Sequence, residues 1–434
     1  MRPLPKPPDH PLVRLSHNVD GVETSATIAI QDRASQLRSE GRRVFKLGLG
    51  QSPFPVPGPM VESLRAHAGE KDYLPTAGLP ALRAAIAQYH RRKPGIQAEA
   101  QDVLVGPGSK ELLFLLQVVL DGQVLLPTPA WVSYAPQARI LGRRTRYIHT
   151  RAEDGWQLSP EALDRACTEH DGPYLLVLND PSNPTGTSYS PERQREIAAV
   201  ARAYGVVILS DEIYGELRFD GQHRSIAEDW PEGTILSTGL SKWCGAGGWR
   251  LGAFTFPRGL QPVLRAMEAV ASETYTTTSA PIQYAAVTAF EGDTFPDWMV
   301  TYIEGARRVL ARLAAQSAAR LRAAGAQVAE PDGAFYLFPD FGPLRQRLAA
   351  RGIHDAPQLC EQLLLDTGVM CLPGQAFGRP REELTVRLSL VDFDGAAALA
   401  QDAALAQDAA GSDALPAIAP VLEAIDRLCA WVVR

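Results

Sequence analysis

From about residue 100 onward, short apolar runs alternate with stretches of helical length, and this alternation constrains the fold more than any other feature. DVLVGPG is followed by SKELLFLLQVVL, QVLLPTPAW reads as a second strand and YLLVLNDPSNPTG as a third. SPERQREIAAVARAYG opens with Ser190 and Pro191, a capping residue and a first-turn residue. VVILSDEIY, GTILSTGLSK and RLGAFTFP read as the fourth, fifth and sixth strands. Strands separated by helices pair in parallel, because only a long crossover returns the chain to the same end of a sheet. The prediction is an α/β fold whose mainly parallel sheet is covered by helices on both faces.

The texture changes after about residue 300. A long helix over TYIEGARRVLARLAAQSAARLRAAG leads to GAFYLFPDF, then VRLSLVDF, then a closing helix near VLEAIDRLCAWVV. The expected division is an N-terminal arm and helix over 1–60 that packs with the small domain, a large domain over 61–300 and a smaller α+β domain over 301–434. MRPLPKPPDHP is Pro-rich and reads as a loose arm, with no leader of charged then apolar residues. The Ala/Asp-rich stretch 394–420 reads as a surface insertion without chemistry. A net charge of −6 gives no case for nucleic acid or an anionic membrane. The run LLFLLQVVL is too short to span a bilayer. Five scattered cysteines (Cys167, Cys244, Cys360, Cys371, Cys429), with no CxxC pair, point to reduced thiols in a cytoplasmic protein.

In open α/β sheets, ligands sit beyond the carboxyl ends of the strands. The residues just past those ends here are Gly108, Ser109 and Lys110, then Trp131, Asn183, Asp211 with Tyr214, and Lys242. A helix start, an indole, an amide, a carboxylate with a phenol, and an amine should converge on one pocket. Lys242 lies in GLSKWCGAGGWRLG, among residues chosen for smallness, with Arg250 eight positions on. A free lysine amine is well under about 1% deprotonated at neutral pH, and an aldehyde cofactor removes that obstacle by storing the amine as a Schiff base.

Pyridoxal phosphate is such a cofactor, and its needs map onto this set. GPGSK offers backbone N–H groups at a helix start for the phosphate, and Arg250 adds a permanent cation. Asp211 suits the pyridine nitrogen, Asn183 and Tyr214 the phenolic oxygen, and Trp131 a stacking face. Each piece alone has a plainer reading: a solvated lysine, a core tryptophan, an ordinary NPTG turn. GAGG lacks the spacing of a dinucleotide loop. The specificity lies in the set, its order and its placement at successive strand ends. No metal is called for.

KLGLGQSPFPVP, KDYLPTAGLPALRAAIAQYH, NPTG, SDEIY, SKWCGAGGWRLG and VRLSL stand in an order that resembles the class I/II aminotransferase family of fold-type I pyridoxal-phosphate enzymes. The resemblance covers nearly the whole chain. It implies a large domain with a mainly parallel seven-stranded sheet and a homodimer with active sites at the interface. It makes Lys242 the Schiff-base lysine and the proton carrier at substrate Cα, with Asp211 and Tyr214 as its catalytic partners. The amino group would pass from an L-amino acid to a 2-oxo acid by way of pyridoxamine phosphate. Tyr73 would reach the neighbouring subunit's cofactor phosphate. Arg387 would clamp the substrate α-carboxylate through paired hydrogen bonds, with Asn183, the Gly50 backbone and Trp131 assisting.

There are departures. Gly239 stands where relatives often have Ser or Thr for the phosphate, and Ser241 or Thr238 would compensate. Gln51 faces the substrate in a segment without the relatives' acidic residue, and Tyr275–Thr276 matches a segment that lends a hydroxyl across the dimer. Ser272 stands where aspartate-type relatives bring a second arginine across the dimer, which predicts a neutral or aromatic donor with Phe335 and Tyr336 as apolar walls. Arg146 or Arg33 would be the other sources of that charge. The same fold and cofactor also serve elimination, C–C bond formation, cyclisation and oxygen-dependent chemistry. A cofactor-sensing regulator would need a DNA-binding module, for which the N-terminal arm is too short.

Overall fold

The structure, a computed structural model, describes residues 15–20, 22, 26–170, 172–406 and 415–434. Its main sheet has seven strands: β1 (Val103–Gly106), β2 (Gln123–Thr128), β3 (Thr145–His149), β4 (Tyr174–Asn179), β5 (Val207–Asp211), β6 (Thr234–Gly239) and β7 (Gly252–Thr255). Their order is β1-β7-β6-β5-β4-β2-β3. Strands β3, β2, β4, β5 and β6 run parallel, and β7 is antiparallel to both β6 and β1. β1, β6 and β7 are buried at every position, which is why they read as continuous apolar or small-residue runs. β3 is the strand that the sequence pattern did not single out. It sits at the sheet edge, and TRYIH keeps only Ile148 buried, so it carries no apolar run.

Twelve residues separate β6 from β7, and they hold only turns and one 3₁₀ segment. A link at the lower limit of length and without an α-helix makes no crossover, and β7 returns antiparallel. That return puts Gly252, where β7 begins, between Gly106 and Gly239, where β1 and β6 end. A Cβ on Gly252 would collide with the Ser109 N–H group and lie 2.8 Å from the Gly108 carbonyl carbon. The glycine therefore lets the start of helix Ser109–Val119 sit directly on the sheet edge. A Cβ on Gly239 would meet the Leu251 carbonyl oxygen at 2.9 Å, so the close packing here leaves little room for the hydroxyl side chain that relatives often carry.

Helix Pro191–Tyr204 begins as its sequence predicts: the Ser190 hydroxyl accepts the Arg193 N–H at 3.2 Å, and Gly205 ends it at φ +63°. The long helix runs over Asp297–Ala323. Beyond it, β8 (Tyr336–Leu337), β9 (Leu372–Pro373) and β10 (Val386–Ser389) form a second, antiparallel sheet in the order β8-β10-β9. Helix Ala419–Val432 closes the chain. In the N-terminal helix, Ala34 and Leu37 pack against Leu364 and Met370.

The stretch 394–420 departs from its reading as a surface insertion. Asp394 caps helix Gly395–Leu405, which packs on the long helix. Ala398 is buried there, and Asp402 pairs with Arg308 at 2.8 Å. An alanine-rich repeat looks like low complexity but is also a strong helix former whose small side chains permit close packing. Residues 407–414 and the Pro-rich arm MRPLPKPPDHP lie outside the described residues. Among the described residues no helix is long and apolar enough to cross a membrane, and no cluster of ligating side chains could hold a metal.

Gly252→Ala should destabilise the protein by about 1–3 kcal/mol, because backbone atoms rather than flexible side chains must move. Urea unfolding checks this; a midpoint equal to wild type would contradict the close approach.

Candidate active site

A cavity of about 520 Å³ opens at the carboxyl ends of β4, β5 and β6. Ser109, Lys110, Trp131, Asn183, Asp211, Tyr214, Ser241, Lys242 and Arg250 all line it, together with Gly50 and Gln51. The strand-end rule thus brings together residues from five separate stretches of chain, and the N-terminal segment at Gly50 and Gln51 adds a sixth.

The Lys242 amine donates to the Gly50 carbonyl oxygen at 2.6 Å and lies 5.9 Å from the centre of the Tyr214 ring. Burial lowers its pKa to about 8, with the Arg387 charge adding to the effect and Asp211 opposing it. Burial pushes the Asp211 carboxyl upward, while hydrogen bonds to the charged form resist. Its Oδ1 accepts the Ser237 hydroxyl at 3.3 Å and its Oδ2 the Tyr134 phenol at 2.7 Å. Tyr214 shares a hydrogen bond with Tyr336 at 2.7 Å, and burial holds its phenol well above the usual range.

Gly108 takes φ +95° just before helix Ser109–Val119. A Cβ there would lie 2.5 Å from Arg250 Nη2, so the glycine both accepts this left-handed backbone and leaves the guanidinium room beside the helix start. Arg250 itself has φ +53°, and it donates to the Gly247 carbonyl at 3.0 Å and the Pro107 carbonyl at 3.3 Å. A helix N-terminus, a hydroxyl from Ser109 and a permanent cation thus meet at one corner, as an anion requires. Trp131 presents its ring to the cavity, with the Lys110 amine 5.1 Å from the ring centre.

Arg387 stands behind the cavity wall. It is 2% exposed, its Nη2 donates to Gly48 O at 2.6 Å and its Nη1 to Asn183 Oδ1 at 3.3 Å. Its Nε is buried without a hydrogen-bond partner. The rings of Tyr336 and Phe377 lie 4.9 and 5.1 Å from the guanidinium carbon.

Other expected residues lie elsewhere in the single chain. Tyr73 is 87% exposed and outside the cavity. The Tyr275 phenol donates to the Val105 carbonyl at 3.5 Å, and Thr276 is exposed at φ +62°. Thr238 is buried within β6 and does not line the cavity, whereas Ser241 does. Phe335 and Tyr336 are not its walls: both are buried in the core, edge-on to Tyr214. Arg146 pairs with Glu169 and Arg33 with Gln36, so neither reaches the cavity.

Three lining residues escaped the sequence reading: Tyr134, Asn179 and Ile213. Asn179 donates to the Asp211 carbonyl at 2.8 Å and accepts the Asn183 N–H at 2.6 Å, tying two strand ends together. Tyr134 stands three residues beyond Trp131, across a turn closed by its N–H on the Trp131 carbonyl at 3.1 Å, and opens the next helix.

Residues 42–397 match the family Aminotransferase class I and II. The chain belongs to that family. It is 34% identical over 387 residues to an aspartate aminotransferase of Geobacillus stearothermophilus, covering 87% of this chain and 94% of the relative. It is 32% identical to an aspartate/prephenate aminotransferase of Thermus thermophilus, covering 85% of this chain and 93% of that one. A solved structure of Thermus thermophilus aspartate aminotransferase with maleate superposes at a TM-score of 0.82, with 29% identity, over 96% of this chain and all of the other. The chain is a transaminase of the pyridoxal-phosphate-dependent kind. The cavity fits that cofactor: the glycine cradle under Arg250, the buried Asp211 carboxylate and the exposed indole face match its phosphate, ring nitrogen and ring.

In the cofactor-free protein, the Lys242 amine should become reactive in step with its lowered pKa. Its neutral form is the nucleophile, so the rate of trinitrophenylation at Lys242 should rise with pH through a midpoint near 8 and level off above it. A midpoint in the ordinary lysine range, followed by peptide mapping, would refute the shift.

Proposed function

We propose that this transaminase takes its amino group from a dicarboxylic L-amino acid of the aspartate type and passes it to a 2-oxo acid. The observation that carries the reading is Lys110. Lys110 lines the cavity with its amine 5.1 Å from the Trp131 ring centre and forms no ion pair among the described residues. Burial and the nearby Arg250 depress its pKa, so a substrate carboxylate would relieve both costs. The expectation of a neutral or aromatic donor rested on Ser272, Phe335 and Tyr336. Phe335 and Tyr336 do not line the cavity, and Ser272, whose position was expected to act across the dimer, is exposed with its hydroxyl on the Ala269 carbonyl at 2.6 Å. The relative's bound maleate, a dicarboxylate, supports the same choice.

Pyridoxal phosphate, when bound, supplies an aldehyde that condenses with amines and a ring that accepts the electron pair left by a broken Cα–H bond. The residues of this chain do the rest. Gly108, Ser109 and Arg250 would hold the phosphate, Asn183 and Tyr214 the phenolic oxygen, Trp131 the ring face and Asp211 the ring nitrogen. The Lys242 amine would move the proton at substrate Cα, which its lowered pKa suits near neutral pH. Arg387 would meet the α-carboxylate with Asn183 turned aside, since its buried Nε has no other partner. Two copies would complete the site, with the exposed Tyr73 reaching across to the partner's cofactor phosphate. The division at residues 60 and 300 and a cytoplasmic setting, favoured by five free cysteines, belong to the same reading.

Borohydride reduction of the holoenzyme should leave the cofactor attached at Lys242, and Lys242→Ala should bind cofactor yet lose turnover. Lys110→Ala should lower kcat/KM for aspartate by roughly ten- to a hundredfold, the worth of a charge-assisted contact. Phenylalanine, methionine and leucine should be affected much less. If any of these neutral donors exceeds aspartate in the wild-type enzyme, the dicarboxylic assignment is wrong.

A further inference from the structure

Asp211 has a support on the cavity wall that lies outside the cofactor-binding set. The carboxylate is 7% exposed, a setting that favours its neutral form. The charged or titratable groups that face it are Lys242 from the loop after β6, Tyr214 from the loop after β5, and Tyr134 from the loop after β2. From the neighbouring strands the neutral Ser237 hydroxyl donates to the carboxylate, while Asn179 donates to the Asp211 backbone carbonyl. The Lys242 charge is not constant, because that amine gives up its proton when it reacts. The Tyr134 phenol has no such second duty. It is 2% exposed and donates to Asp211 Oδ2 at 2.7 Å, the shorter of the two side-chain hydrogen bonds to this carboxylate.

Its placement is also fixed. Tyr134 opens helix Tyr134–Ile140, its N–H bonds to the Trp131 carbonyl at 3.1 Å, and its ring meets Trp131 edge-on at 5.2 Å. The turn that presents the indole therefore also aims the phenol.

We propose that Tyr134 is a positioning residue for transamination: its hydrogen bond keeps Asp211 ionised and fixed in orientation, so that the cofactor's ring nitrogen stays protonated. This rests on the assignment of Asp211 to that nitrogen. A hydrogen bond to a carboxylate stabilises the ion pair of carboxylate and protonated ring over the neutral pair, in which the proton has moved to the acid.

The test uses holoenzyme reconstituted with cofactor isotopically labelled at the ring nitrogen, whose NMR shift reports its proton as pH is raised. In Tyr134→Phe the ratio of ring-protonated to acid-protonated forms should fall by about tenfold, so that on the plateau below the midpoint the nitrogen shift moves toward its unprotonated value. The kcat should fall about tenfold, with donor KM and cofactor Kd changing by less than about threefold. 3-Fluorotyrosine at position 134, a stronger donor of nearly the same shape, should retain the wild-type profile. If Tyr134→Phe keeps the wild-type profile and kcat while Asp211→Asn loses the ring proton, Tyr134 only packs and the proposal falls, with the Asp211 assignment intact. If Asp211→Asn also keeps the proton, the assignment itself fails and takes the proposal with it.

Discussion

The close approach of helix Ser109–Val119 to the sheet edge is the constraint on which the rest of the site depends. Gly106, Gly252 and Gly239 lie side by side in adjacent strands, and at Gly252 no side chain separates the sheet from the helix start. The antiparallel β7 makes this possible, because its first residue is delivered to the edge where its neighbours end. Arg250, two residues upstream, is thereby placed against Gly108. A bulkier row would push the helix away and separate its N–H groups from the cation. The anion corner follows from backbone packing more than from any one polar residue.

Around that corner the charged groups work against their own burial. Lys242 is held toward its neutral form, and Asp211 is kept from neutralising by donors on both its oxygens. The two shifts have a common cause, a low-dielectric cavity: that of Lys242 suits an amine that must accept a proton, whereas that of Asp211 runs against a carboxylate that must stay charged, and its hydrogen bonds oppose it. Arg387 links this chemistry to the second sheet. It projects from β10, reaches the Gly48 carbonyl and the Asn183 amide, and so joins the N-terminal segment, the β4 loop and the small sheet at one guanidinium.

Sequence patterns revealed the strands wherever burial on both faces produced an apolar run, and failed at β3, where an edge position did not. They revealed helix Pro191–Tyr204 through Ser190, Pro191 and Gly205, whose effects are local. They misread 394–420 because alanine repeats signal both low complexity and helix. Lys110 shows the same limit in the site: GSK announced a helix start, but not that its lysine side chain would turn into the cavity over Trp131.

What the sequence determined by itself was the family, through the resemblance of its ordered motifs, and the α/β class and the strand ends where chemistry would gather, which follow from periodicity over a few adjacent residues. Only the tertiary structure decided that Tyr134 touches Asp211, that Arg387 is buried behind Asn183, and that Phe335 and Tyr336 belong to the core. Those outcomes depend on side-chain direction and on contacts between residues 77, 204 and 122 positions apart in the chain. Local propensity does not reach that far; only the packing of the whole chain orients such groups toward one another.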